Sequence, residues 1–161
     1  MTVALLVRIE DLPKLLAPEA RLLGLDLGTK TIGLALSDVT RSIATPYHTV
    51  RRTKFTADAS QLQQTIEKNQ VGALVIGLPI NLDGSEGPRA QSTRAFARNL
   101  AALVAVPITF WDERLSTAAV ERHLIEADAS RKRRAEVIDR MAAAYILQGA
   151  LDRLRHLQAQ T

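Results

Sequence analysis

The sequence predicts an α/β fold on a single mixed sheet of five strands, with elements in the order β-β-β-α-β-α-β-α-α and helices packed on the sheet. Three observations carry that prediction. Residues 22–38, LLGLDLGTKTIGLALSD, alternate with period two on either side of a short turn, the pattern of a β-hairpin. GALVIGLP, residues 72–79, is a short continuous apolar run of the kind found in strands covered on both faces. Helical and strand patterns then alternate along the rest of the chain, and a meander followed by such alternation implies one mixed sheet.

In the hairpin, Leu23, Leu25 and Leu27 share one face of the first strand, and Gly24, Asp26 and Gly28 share the other. Beyond the turn Thr29-Lys30-Thr31, Ile32, Leu34 and Leu36 form a bulky face and Gly33, Ala35 and Ser37 a small one. IATPYHTVRR is a third strand, placed at the sheet edge because Pro46 cannot donate to a ladder. TADASQLQQTIEKNQ is a helix with an apolar stripe through Ala59, Leu62 and Ile66. The strand GALVIGLP leads into a glycine-rich loop, NLDGSEG, after which Pro88 takes the first position of a helix reaching Val104. VPITFWDE is the fifth strand. Ser116 caps a helix through Ala127, a basic loop spans 128–134, and a long final helix runs from Ala135 to Leu154.

Residues 1–20 open on an apolar stretch but carry Arg8, Glu10 and Asp11. They lack a basic start, a sustained apolar core and a small-residue cleavage site, so no signal peptide is expected here. They read either as a short extra strand and turn or as a poorly ordered arm, with residues 21–161 as a single domain.

A hydrophobic content of 47% and a charged content of 24% suit a soluble globular protein. The absence of cysteine excludes a disulfide framework and a thiolate zinc site. His48, His123 and His156 are far apart and show no ligand spacing. No run approaches the roughly 18 apolar residues of a membrane span, so a cytoplasmic protein with no membrane partner is expected. The net charge of +4 favours anionic partners, nucleic acid first among them. Two basic clusters stand out: Arg51, Arg52 and Lys54, and then Arg131, Lys132, Arg133 and Arg134. Charge runs are ordinarily solvated faces and gain meaning only beside a reaction centre.

The acidic residues supply such a centre. Strands ending near Asp26, Pro79 and Glu113 are mutually parallel if their crossovers are normal, so their C-terminal ends share the edge where open α/β sheets place their sites. Asp139 interrupts the inward stripe Ala135, Ile138, Ala142, Ala143 and Ile146 of the last helix. Each acid alone has a local explanation: Asp26 capping a turn, Glu113 paired with Arg114, Asp139 paired with Arg140. Three converging on one sheet are hard to neutralise with local arginines. A divalent cation resolves the conflict, because Mg²⁺ or Mn²⁺ prefers carboxylate oxygens and completes its shell with water and substrate phosphate. Two such ions about 4 Å apart activate a water and stabilise the leaving oxygen of a phosphodiester. On this reading the glycine face around Asp26 is bare so that a phosphate backbone can approach.

The residues now resemble a known family, the YqgF (RuvX) proteins of the ribonuclease H-like superfamily. The resemblance spans roughly residues 21 to 154. GLDLGTKTIGLALSD is similar to the family's first motif, GLPINLDGSEGPRA to its central loop, WDERLST to its third motif and VIDRMAAAYILQGALD to its last. The first is shared with sugar kinases and actin-like ATPases; the four in order are specific. The resemblance implies a five-stranded mixed sheet of ribonuclease H type and a cytoplasmic metal-dependent nuclease that matures the small-subunit ribosomal RNA precursor. It also implies kinship with Holliday-junction resolvases. Carried over by motif, the catalytic and metal-binding carboxylates are Asp26, Glu113 and Asp139. Many relatives in the superfamily end the fourth strand in a carboxylate. Here that strand ends in Gly77-Leu78-Pro79, so Glu113 serves instead and Asp112 is a candidate auxiliary ligand.

The loop from Asn81 to Gly87, with Asn81, Gly84 and Ser85, is expected beside the scissile phosphate, its backbone N–H groups contacting the anion. Lys30, Arg114 and the run Arg131, Lys132, Arg133 and Arg134 are candidate phosphate contacts, which position a backbone without reading bases. Ser116 and Thr117 start a helix and are not nucleophiles, since no histidine accompanies them.

Three rival readings remain. Actin-like ATPases and sugar kinases need two such domains facing a nucleotide, and this chain holds one. A non-catalytic binding module has no use for three inward carboxylates, and aromatic content is only 4%, with no stacking platform. A junction resolvase needs a symmetric dimer, and the sequence leaves monomer and homodimer open. RNA is the preferred substrate, with DNA the alternative.

Overall fold

The hairpin forms as its alternation predicts. Strand β1 (Arg21–Leu27) pairs antiparallel with β2 (Thr31–Ser37), with Asp26 opposite Gly33 and Leu25 opposite Leu34. The computed structural model describes residues 6–115 and 131–160, and the backbone alone for 131–138. The helix expected over 116–127, with Ser116, Thr117 and His123, therefore lies outside the described residues, as do 128–130.

Strand β3 (Ala44–Arg51) pairs antiparallel with β2 and closes one side of the sheet. Its register slips where Leu34 faces His48 but Ala35 faces Pro46, so the proline sits beside a bulge on an edge strand, where a missing donor is tolerated. Helix α1 (Phe55–Asn69) follows and buries Ala59 and Leu62. It ends at Gln70, whose left-handed backbone returns its N–H to the Ile66 carbonyl, and β4 (Val71–Leu78) starts at the next residue. Helix α2 (Pro88–Ala101) begins with proline as predicted but ends three residues before Val104. Strand β5 (Ile108–Asp112) is followed by a 3-10 turn, Glu113–Leu115. Helix α3 (Arg131–Ala159) is longer at both ends than its sequence pattern suggests. Residues 131–134 open this helix, and the expected loop over these four positions is corrected. A run of arginine and lysine has good helix propensity, and its charge alone does not break a helix. No helix among the described residues is long and apolar enough to cross a membrane.

The strand order is β3-β2-β1-β4-β5, with β1, β4 and β5 parallel and the hairpin partners antiparallel. Each face is covered. Leu23, Leu25, Leu27, Ile32 and Leu34 pack with α1 and α2, while Leu22, Ala35, Ala73 and Val75 pack with the Ala143–Leu154 stretch of α3. The leader settles as a docked segment from residue 6 onward. Val7 donates to the Ile108 carbonyl at 2.9 Å, Leu6 bridges to β5, and Leu12 of the 3-10 turn Ile9–Leu15 is fully buried beside α3. The first residue of β5 is thus paired on its outer side, which shortens the exposed template for strand pairing.

The small face of the hairpin is small because α3 lies directly on it. A Cβ at Gly33 would overlap the Asp139 carbonyl, one at Gly24 would lie 2.8 Å from the Leu147 Cβ, and one at Gly77 would overlap Ile146. The expectation that these glycines admit a phosphate backbone is therefore corrected: they admit a helix. At Gly33 the obstacle is backbone, which cannot rotate aside. We expect Gly33→Ala to destabilise the fold by about 3 kcal/mol or more in urea unfolding, the upper range of overpacking. Gly28→Ala, whose Cβ would meet the Thr31 carbonyl at a tight but tolerable 3.1 Å, should cost far less.

Candidate active site

The C-terminal edge of β1 is where the acids meet. Asp26 is 2% exposed and alternates with Leu25 and Leu27, so its side chain shares the α3 face with Gly24. Its neighbour across the antiparallel ladder is Gly33. On the parallel side the register runs Gly24 to Val75 and Leu25 to Ile76, which brings Asp26 level with Gly77. Glycine thus flanks the aspartate on both adjacent strands.

The other two carboxylates stand over those glycines. Asp139 is held above Gly33 by the close approach of α3, and the Glu113 Oε1 lies 2.8 Å from the position of a Cβ at Gly77. Adjacent strands are about 4.8 Å apart, so the three backbone positions span roughly 10 Å. The structure brings Asp26, Glu113 and Asp139 from three distant segments to the same edge of the sheet. Thr31 joins them: its hydroxyl donates to the Asp139 Oδ2. The sequence reading passed over Thr31, although strand parity places it with Gly33 and Ala35 on the small face.

Asp112 and Arg114 bond to each other. Arg114 donates from Nη2 to the Asp112 Oδ2 at 2.7 Å and from Nε to both carboxylate oxygens at 3.0–3.1 Å, and its backbone N–H reaches Oδ1 at 2.9 Å. The Arg114 hydrogen bonds hold the Asp112 carboxyl below its ordinary range, and the carboxylate raises Arg114 in return. Arg114 also extends Nη1 to the Asn81 carbonyl at 3.4 Å. The pair is a brace between the end of β5 and the loop after β4. An auxiliary ligand and a free phosphate contact were expected at these positions.

That loop is tied internally. The Asn81 N–H donates to the Ser85 carbonyl and the Gly84 N–H to the Asn81 carbonyl, both at 2.9 Å. The Ser85 N–H and hydroxyl both donate to the Asp83 Oδ1, which lowers the pKa of that exposed acid. The Asn81 amide donates to the Ser85 hydroxyl oxygen at 3.0 Å. Gly84 adopts φ +90°, a left-handed conformation that suits glycine. The N–H groups of Asn81, Gly84 and Ser85 are thus each hydrogen-bonded within the turn. The loop walls a cleft of about 330 Å³ that Glu113, Arg114 and Arg89 also line.

Lys30 is exposed on the β1–β2 turn, at the same edge as Asp26. Arg131, Lys132, Arg133 and Arg134 lie on the first turn of α3, and their side chains fall outside the described residues.

Comparisons with known proteins place the chain among its relatives. A sequence model of the RuvX family, described as "Holliday junction resolvase", matches residues 20–153. A protein of Methylocella silvestris named "Putative pre-16S rRNA nuclease" is 62% identical over 154 residues, covering 96% of both chains. One of Paramagnetospirillum magneticum with the same name is 68% identical over 137 residues, covering 85% of this chain and 88% of that one. Among solved structures, Thermus thermophilus RuvC in complex with a Holliday junction substrate superposes with a TM-score of 0.56 at 15% identity, covering 86% of this chain and 97% of that one. The yeast mitochondrial Holliday junction resolvase Ydc2 gives 0.52 at 16% identity, covering 94% and 85%. At such identities the likeness is one of fold, the ribonuclease H-like fold.

The brace carries a pH dependence. Because Asp112 titrates below its unfolded value, its contribution is present above the ordinary carboxylate pKa and is lost as pH falls through the depressed one. Carboxyl NMR of Asp112 should show a midpoint below the ordinary aspartate range, and Arg114→Gln should return it upward.

Proposed function

The chain belongs to the RuvX family, and on that premise we propose that it is a divalent-metal-dependent nuclease that hydrolyses phosphodiester bonds in the cytoplasmic precursor of 16S ribosomal RNA. One observation carries the reading: Asp26, Glu113 and Asp139, far apart in sequence, are gathered on one edge of the sheet by glycines that let α3 and the β5 turn approach. A fold gains nothing in stability from crowding like charges, which raise each other's cost of ionisation.

The donor set suits Mg²⁺ or Mn²⁺, two ions in our reading, since all three side chains offer hard oxygen ligands and one of them is buried. Among the described residues no three acidic or histidine side chains already stand at ligand spacing, and Asp139 is drawn to Thr31. The backbone has done the gathering, so closing the set asks for side-chain rotation. When bound, the cations supply Lewis acidity to the phosphoryl oxygens and a lowered pKa for an attacking water.

The protein's own groups divide the remaining work. Asp26, shielded from solvent, fixes the centre of the donor set on a rigid strand. Glu113 and Asp139 complete it from two elements anchored in the core. Thr31 orients the Asp139 carboxylate, as partners of metal ligands do. The Asp112–Arg114 brace fixes the loop over the cleft, and Lys30 stands at the rim where a phosphate chain enters. None of these groups reads a base, so the site recognises backbone.

The test uses purified protein with labelled 16S precursor RNA, single-stranded DNA, duplex and four-way junction, each with Mn²⁺, Mg²⁺ or chelator. Cation-dependent cutting of the RNA is expected. Asp26→Asn, Glu113→Gln and Asp139→Asn should each lower the rate by about 10³-fold or more while thermal unfolding shows a folded protein. Thr31→Val should cost about 10- to 100-fold. Preferential junction cleavage would replace the RNA reading with a resolvase. Equal cutting by Asp26→Asn would end the carboxylate mechanism.

A further inference from the structure

The opposite face of the same edge holds a second cleft. Leu27, one residue past Asp26, turns toward α1 and α2 and floors a cavity of about 400 Å³ with Arg52, Arg89, Ser92 and Thr29 around it. No acidic side chain lines it.

Its two arginines differ from others nearby. Arg94 is spent on Glu86 and Arg114 on Asp112. Neither Arg52 nor Arg89 has an acidic partner among the described residues. Arg52 is held ready: its Nη1 donates to the Gly28 carbonyl at 2.6 Å, and its guanidinium sits 5.3 Å from the Phe96 ring centre. One donor is used and the planar fork is fixed, so little freedom is lost when the remaining donors meet an anion. The Thr53 and Thr93 hydroxyls donate to Asp58 and to the Arg89 carbonyl. Those of Thr29 and Ser92 face no such claim. Two cations, two hydroxyls and no acid are the chemistry of a phosphate site.

The cleft also has a route to the carboxylates. Arg89 lines both this cavity and the one that holds Glu113 and Asn81, so the two meet at the start of α2. We propose that this cleft is a second phosphate-binding subsite, in which Arg52 and Arg89 grip the backbone of the same nucleic-acid strand whose scissile phosphate lies at the carboxylates. The inference rests on the nuclease reading. The subsite sets the path of the strand across the edge and is indifferent to base identity.

Salt dependence tests it on the full-length chain. The affinity for a short labelled single-stranded RNA is measured against salt concentration in chelator, and kcat and KM for the same RNA in Mn²⁺. Arg89→Ala removes an exposed, unpaired side chain and leaves the fold intact; Arg52→Gln with Arg89→Ala removes both charges. Arg98→Ala, an exposed arginine in the last turn of α2 outside both clefts, is the control. The slope of log affinity against log salt should fall by about 0.7 for Arg89→Ala and about 1.4 for the double variant, the value per contact on a single strand. KM should rise with kcat unchanged, and Arg98→Ala should match wild type. If binding needs the cation, the salt slope of KM gives the same reading. Variants that keep the wild-type slope while wild type cuts RNA would overturn the subsite alone, as would an equal loss in Arg98→Ala. A wild type that neither binds nor cuts any nucleic acid would end the nuclease reading and the subsite with it.

Discussion

The approach of α3 to the sheet is the contact on which the rest depends. Its backbone at Asp139 rests on the Cα of Gly33, and its Leu147 and Ile146 side chains rest on Gly24 and Gly77. Glycine in a strand costs about 0.5–1 kcal/mol each through lost entropy. The return is twofold. Ala143, Ile146, Leu147, Ala150 and Leu151 sink into a core with Leu22, Ala73 and Val75, and a helical carboxylate reaches the level of a strand carboxylate. A sheet face of ordinary side chains would lift the helix by a side chain's length and carry Asp139 away from Asp26. Packing and chemistry are set here by the same absent atoms.

The acids at this edge fall into two groups. Asp112 and Glu86 are matched to arginines, and Asp83 to the Ser85 hydroxyl and N–H, with pKa values held low by those hydrogen bonds. They stiffen loops. Asp26, Glu113 and Asp139 are grouped by backbone placement, each on a different element, with a glycine beneath two of them. The first group is built from neighbours in sequence, such as Asp112 with Arg114 and Asp83 with Ser85. The second is assembled only by the tertiary fold.

This distinction also explains what could be read before the fold was known. The alternation through Asp26, the edge placement of Pro46 and the inward stripe of α3 are periodic features, and periodicity survives in a sequence. The purpose of the glycines did not survive, because alternation tells which residues share a face but not what covers it. Substrate and helix were equal candidates for the space over Gly33. The loop after β4 is ambiguous for a related reason. Its glycines and polar residues suit an anion cradle, yet Asn81, Asp83 and Ser85 satisfy the turn's own N–H groups. Thr31 was hidden by its position at a turn, where its strand parity is easily missed. The leader's docking on β5 rests on a few long-range contacts with no periodic signature.

A nuclease edge faces an electrostatic difficulty that this sheet resolves by geometry. It must attract a polyanion with cations and hold carboxylates for a divalent ion, and guanidinium beside carboxylate would pair with it and displace the ion. Alternation of the strand separates the two demands within one residue step. Asp26 points to α3 and Leu27 to α1 and α2, so Arg52 on the second face is kept from Asp26 by the thickness of the sheet, while Arg89 stands at the start of α2 where the two clefts meet. Where an arginine does stand beside the acids, as Arg114 does, it is already neutralised by Asp112. The edge can therefore be basic to a passing strand and acidic at its reactive point, without either charge set quenching the other.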